Sequence, residues 1–210
     1  MSLIDNVTVT RNNIFKGACQ VVVSTDAYTS FPGVIESVID PSTYALASGL
    51  TALGGTTEDG VVIRRSAELS DGIPVDQRRF NLDEGEPEGW EMEAELTLLE
   101  TNLDRLRIAW EGETVQSIAA GAGNVAQHVM PLAGPSTFTE RMLFVIQEDY
   151  KTGRLRVGAF RKATPMVDGA ELNMQSEEAS AVPLKFKLRA DESVASHHGP
   201  FGKIFEEDVS

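Results

Sequence analysis

The chain has one cysteine, Cys19, in 210 residues, which excludes an intramolecular disulfide framework and any zinc cluster built on thiolates. Long apolar runs are also missing. No window approaches the roughly 18 continuous apolar residues of a membrane span, and the opening MSLIDNVTVTRNN has no basic-then-apolar leader layout. The sequence therefore predicts a soluble chain with no secretion signal and no membrane span. Basic residues are scarce, at 18 Lys and Arg against 32 Asp and Glu, for a net charge of -14. A general affinity for the nucleic-acid backbone needs clustered cations, and this balance opposes it.

Catalytic signatures are absent too. There is no Gly-x-Ser-x-Gly elbow, no phosphate loop of the Gly-x-x-x-x-Gly-Lys-Ser/Thr type, and no calcium loop of EF-hand spacing. The Gly-Ala-Gly of AAGAGNVAQ lacks the rest of a dinucleotide fingerprint, and 112–137, rich in Gly, Ala and Ser, shows no period. His197 and His198 are adjacent and would diverge in extended chain, and His128 is isolated. No cofactor, metal or catalytic residue is assigned.

What is present is an apolar fraction of 41%, enough for a folded core, and a length suited to one domain. The single domain is expected to span 1–210, with an N-terminal arm over 1–20, a long acidic loop over 70–89 and a C-terminal arm over 191–210. Pro32-Gly33, Asp40-Pro41, Gly54-Gly55 and Asp59-Gly60 read as turns, and a strand is expected from about Gly60 to Leu69.

The clearest strand is WEMEAELTL. Trp90, Met92, Ala94, Leu96 and Leu98 share one face and Glu91, Glu93, Glu95 and Thr97 the other, because successive side chains of a strand point oppositely. The apolar face, Trp90 included, is expected to anchor the core. The period then changes. Leu103, Leu106 and Trp110 follow helical spacing, with Thr101 and Asp104 resembling a capping box and Gly112 as a stop.

Further on, Arg141 to Glu148 and Arg154 to Lys162 predict a hairpin around DYKTG, and AELNMQS and AVPLKFKLRAD predict two more strands. In the last of these, Val182, Leu184, Phe186 and Leu188 alternate with Lys185, Lys187 and Arg189. This strand repeats the opening pattern with the opposite charge.

The acidic stripe has three readings. Alternate strand positions place carboxylates roughly 7 Å apart, but a general acid and base pair needs a concave pocket that separates their pKa values. Glu91, Glu93 and Glu95 lying opposite Lys185, Lys187 and Arg189 would form a cross-strand ladder that simply stabilises the sheet. Alternatively the stripes line an assembly surface, where charge sets register and partner choice. The pattern alone does not separate the last two.

LTALGGTTEDGVVIRR, then a polar loop, then GWEMEAELTLLETNLDRLRIAW and the late FRKATPMVDGAELNMQSEEASAVPLKFKLRADES, resembles the major tail tube proteins of long-tailed (siphovirus-type) bacteriophages over most of residues 50 to 192. The resemblance implies a mainly β fold with one flanking α-helix, an antiparallel β-sandwich or half-barrel with extended loops and terminal arms. It implies a structural virion protein, not an enzyme, that assembles with itself into hexameric rings stacked as a tube. Tape measure protein and other tail proteins would be its partners, and DNA only the transported cargo, repelled by an acidic lumen. The location would be the virion tail, assembled in the host cytoplasm.

On that resemblance Glu91, Glu93, Glu95, Lys185, Lys187 and Arg189 are candidates for a lumen or inter-subunit face. Asp83, Glu84, Glu86 and Glu88 are candidates for an inter-ring loop. The 112–137 stretch has no counterpart in the family pattern. Two alternatives stand beside it: an inner tube or ring component of a contractile tail or secretion apparatus, and a small carbohydrate-binding or hydrolytic β-domain using the acidic strand and loop.

Overall fold

The computed structural model describes residues 18–25, 30–69, 74–75, 80–81, 87–99, 102–112, 114–121, 123, 125–132, 138–166, 181–195 and 198–208, with backbone alone at 68, 69, 74, 75, 80, 81, 87, 88 and 109. The strands are β1 (Cys19–Ser24), β2 (Leu50–Leu69), β3 (Pro74–Val75), β4 (Phe80–Asn81), β5 (Pro87–Leu98), β6 (Gln116–Ile118), β7 (Gln127–Val129), β8 (Arg141–Glu148), β9 (Leu155–Met166), β10 (Val182–Arg189) and β11 (Gly202–Glu206). The one α-helix, α1, is Leu103–Trp110.

The main sheet runs β10-β5-β2-β1-β8-β9-β11, and β9 also pairs with β10, so six antiparallel strands close into a barrel with β11 added outside the ring on β9. The sequence suggests a sandwich or half-barrel. The described strands form one closed antiparallel ring, and its inner cluster is shared with α1. Closure depends on β9 changing neighbours along its length. On one edge it pairs with β8 from Leu155 to Ala163, and on the other it pairs with β11 over Arg156 to Phe160 and then with β10 over Lys162 to Met166.

Two apolar clusters lie on opposite faces of this sheet. The inner one holds Val21, Leu53, Leu96, Leu98, Leu143, Phe160, Leu184 and Phe186, joined by Leu106 and Ile108 of α1. The outer one covers β1, β8 and β9, where Val22, Phe144 and Val157 meet Ile35, Val38 and Ile39 of the 30–49 segment. Strands buried on both faces cannot alternate, which is why β1 and β8 read as the unbroken runs VVV and MLFVI. β5 and β10 have one face in the core and one outside, and they alternate strictly.

Local details refine the expectations. The strand expected from about Gly60 begins ten residues earlier, at Leu50. The glycine pairs read as turns lie inside it: β2 leaves register with β5 between Thr56 and Val61, and Gly60 takes φ +69°, a bulge rather than a reversal. The Asp40-Pro41 turn is present, with Asp40 Oδ1 accepting from the Ser42 N–H at 2.8 Å. The hairpin of β8 and β9 forms as expected, its turn closed by the Gly153 N–H on the Asp149 carbonyl.

Helix α1 is capped by Asn102, whose Oδ1 accepts from the Arg105 N–H at 2.9 Å; Thr101 lies outside the described residues. Asn caps a helix as well as Thr does, and the cap falls one residue later than the sequence predicts. At the other end Glu111, not Gly112, takes the left-handed conformation, with φ 50°.

Three expected features change. The 191–210 arm contains β11, a strand too short for its period to show in sequence. The 112–137 stretch contains the exposed hairpin β6–β7. The long acidic loop shrinks, because β2 runs to Leu69, β5 starts at Pro87, and β3 pairs with β4 between them. Residues 1–17, and with them most of the expected N-terminal arm, lie outside the described residues, as does the AELNMQS strand; positions 19 and 20 belong to β1.

Candidate functional site

The outward residues of β2, β5 and β10 form a charged wall. β10 is registered so that Lys185 faces Glu95 and Lys187 faces Glu93. Glu95 is the centre of the wall: one oxygen lies 2.5 Å from Lys185 Nζ and the other 2.5 Å from Arg64 Nη1 on β2. The hydrogen bond from Lys185, helped by the positive charges of Arg64 and Lys185, holds the Glu95 carboxyl below its ordinary value despite partial burial.

The remaining candidates are brought to the same wall but pair diagonally. Lys187 Nζ is 3.4 Å from Glu91, and Arg189 reaches Glu140, 3.3 Å away before β8, rather than a glutamate of β5. The wall continues around the barrel through Lys162, 3.9 Å from Asp191 and 4.0 Å from Glu140. The Ser193 hydroxyl donates to Asp191 at 2.8 Å and lowers its pKa, with Lys162 and Arg161 adding to the effect. The three glutamates therefore face the basic strand on the outside of the barrel. Glu91 lines an open recess with Glu140, Lys162, Lys187 and Arg189.

Of the expected inter-ring loop, Asp83, Glu84 and Glu86 lie outside the described residues, and Glu88 falls within the backbone of β5. Beyond Met92, the last β5 residue that β10 pairs with, β5 and β2 continue as a two-stranded ribbon through Ala67–Trp90 to Leu69–Pro87.

Trp90 departs from the expectation that it anchors the core. It sits past the end of β10, 45% exposed, with the Arg65 guanidinium stacked 3.9 Å from its ring centroid. Together with Met92, Phe160, Phe201 and Ile204 this pair lines a trough of about 480 Å³. The sequence signal for the trough was divided among β2, β5, β9 and the C-terminal segment, and only the fold gathers it.

Other reactive groups stay apart. Burial raises the Cys19 thiol above its usual pKa, which disfavours the nucleophilic thiolate. His128 Nδ1 lies 3.0 Å from the Ser117 hydroxyl on the exposed hairpin, and His197 lies outside the described residues. Among the described residues no three His, Cys, Asp or Glu side chains are grouped to hold a metal ion, and no helix is long and apolar enough to cross a membrane. Neither a protein-family model nor a curated protein matches the chain.

Proposed function

We propose that the chain is a tube-forming structural subunit, the major tail tube protein of a long-tailed bacteriophage. In this reading copies of the barrel assemble into hexameric rings, and the rings stack around a lumen that conducts DNA. Tape measure protein and other tail proteins are its partners in the virion tail, which is assembled in the host cytoplasm.

The observation that carries the reading is the β2–β5 ribbon. It leaves the barrel beyond Met92, holds β3 and β4 further along the same excursion, and has the acidic residues Asp83, Glu84 and Glu86 in the sequence between its strands. A two-stranded ribbon is marginal by itself in water, and unpaired strand edges recruit further chains. Such an arm suits contact with a neighbouring ring. The net charge of -14 supports the same reading, since a repulsive lumen keeps DNA phosphates from adhering.

The charged wall then divides between roles. Glu95 is neutralised by Lys185 and Arg64, and Glu91 by Lys187, so this surface suits a registered inter-subunit face better than a bare acidic lumen. Electron microscopy and sedimentation of the purified protein test the reading. Stacked rings or tubes with six-fold symmetry are expected, and a strictly monomeric species at all concentrations overturns it.

A further inference from the structure

The 26 residues from Thr114 to Thr139 contain no Asp, Glu, Lys or Arg, in a chain that is 24% charged. A stretch this free of charge normally belongs to a core. Here it builds a surface: all six residues of β6 and β7 are exposed, and the two strands pair only with each other among the described residues. Ile118 and Val129 are exposed within the hairpin, Val125 is 78% exposed near its tip and Leu132 77% exposed beyond it. Only at Met130 does the stretch rejoin the inner core. An isolated two-stranded hairpin has little stability of its own, so the apolar cost of this one calls for a covering partner.

The trough beside Trp90 is the complementary feature. Among the described residues its lining is apolar apart from two cations, Arg65 and Lys203, with no carboxylate. Trp90 and Ile204, the latter 69% exposed, leave its rim open. Two copies of a chain carrying -14 repel one another over most approaches. The repulsion is weakest where one copy presents no charge and the other presents only cations.

We propose that the β6–β7 hairpin of one copy docks in the Trp90–Ile204 trough of the next copy. The inference rests on the self-assembly reading and deepens it by naming both halves of a contact. Because hairpin and trough are different surfaces, the contact is heterologous, and a pair of copies keeps one free trough on one copy and one free hairpin on the other. Contacts of this type propagate into rings or filaments rather than stopping at a dimer.

Val125→Asp removes the apolar tip and Ile204→Glu fills the trough rim, both at exposed positions, with circular dichroism checking the fold. Val125→Ser and Ile204→Ser are the milder substitutes should either variant fail to fold. Sedimentation velocity is expected to show each variant alone as a monomer at concentrations where wild type assembles, at least about tenfold weaker in association. An equimolar mixture is expected to form one-to-one heterodimers that do not extend, because the Ile204→Glu copy supplies the intact hairpin and the Val125→Asp copy the intact trough.

If wild type assembles and either variant assembles equally well, the pairing is overturned while the tube reading stands. Two variants that both stay monomeric when mixed also overturn it. Wild type that remains monomeric overturns the tube reading and the pairing together.

Discussion

The Lys185 ammonium lies 2.5 Å from a carboxylate oxygen of Glu95, its direct neighbour across the β5–β10 ladder. Arg64 holds the other oxygen, so one glutamate ties three strands of the barrel on their outer side. Its folded-state pKa is lowered below the ordinary 4.5. The stabilisation is therefore fully present above the unfolded value and is lost as pH falls through the folded one.

Glu95→Gln is expected to lower the melting temperature by about 1–3 °C at neutral pH and low salt. The difference from wild type should fade as pH drops below the ordinary carboxylate range, and shrink in 1 M salt because both cations are half exposed or more. Thermal melts across pH and salt read this directly. A difference that grows on acidification would contradict the wall's charge arrangement.

Arg141 is a different kind of ion-pair residue because it is buried. Its guanidinium donates to the Ser24 carbonyl at 3.1 Å and to the Thr25 carbonyl, and its Nε lies 3.9 Å from Glu111 at the end of α1. Arg141→Leu leaves two carbonyls without a donor and strands a buried carboxylate, an expected loss of about 3–5 kcal/mol in urea unfolding. Adding Glu111→Gln to that variant should recover part of the loss. No recovery would mean that the carboxylate does not depend on Arg141.

Gly202 begins β11 where the backbone presses on β9. A Cβ there would lie 2.1 Å from the Ala159 carbonyl oxygen, a backbone atom that cannot swing aside. Gly202→Ala is expected to detach β11 while leaving the six-stranded ring closed. Proteolysis and amide exchange should show residues 202–206 exposed, with the amides of β5 and β10 unchanged.

Asn102→Ala removes the side-chain acceptor from the first turn of α1, a cost of about 0.5–2 kcal/mol. The helix has eight residues and places Leu106 and Ile108 in the inner core, so the loss should appear as a shift in the unfolding midpoint.

The alternating strands were legible because each of their residues meets one of only two environments. In β5 and β10, parity alone sorts Leu96, Leu98, Leu184 and Phe186 inward and Glu95 and Lys185 outward. A ladder of opposite charges between the two strands was one of the readings the pattern left open, and the register places Lys185 opposite Glu95. Trp90 broke the parity rule because parity gives a direction and not a cover: it points with Met92, but β10 ends before reaching it.

The barrel itself was not legible. Closure depends on β9 exchanging β11 for β10 along one edge while β8 keeps the other, a change of neighbour that no local period records. The trough had the same difficulty, since Arg65, Trp90, Phe160 and Ile204 meet only after closure. The hairpin of 116–129 left a signal of composition rather than of period. Its lack of charge was visible from the start, but only its exposure distinguishes a surface from a core.

The pairing of Val21 with Val145 has a consequence for the timing of biosynthesis. β1 receives β2 on one side soon after synthesis, but its other side waits for β8, about 120 residues later, which at typical elongation rates is roughly 6–25 s. For that interval the nascent chain carries the Val21–Val23 run of β1 with one unpaired edge. The ribosome therefore releases the most aggregation-prone stretch of this acidic protein long before its permanent neighbour exists, and the surrounding negative charge is its protection in the meantime.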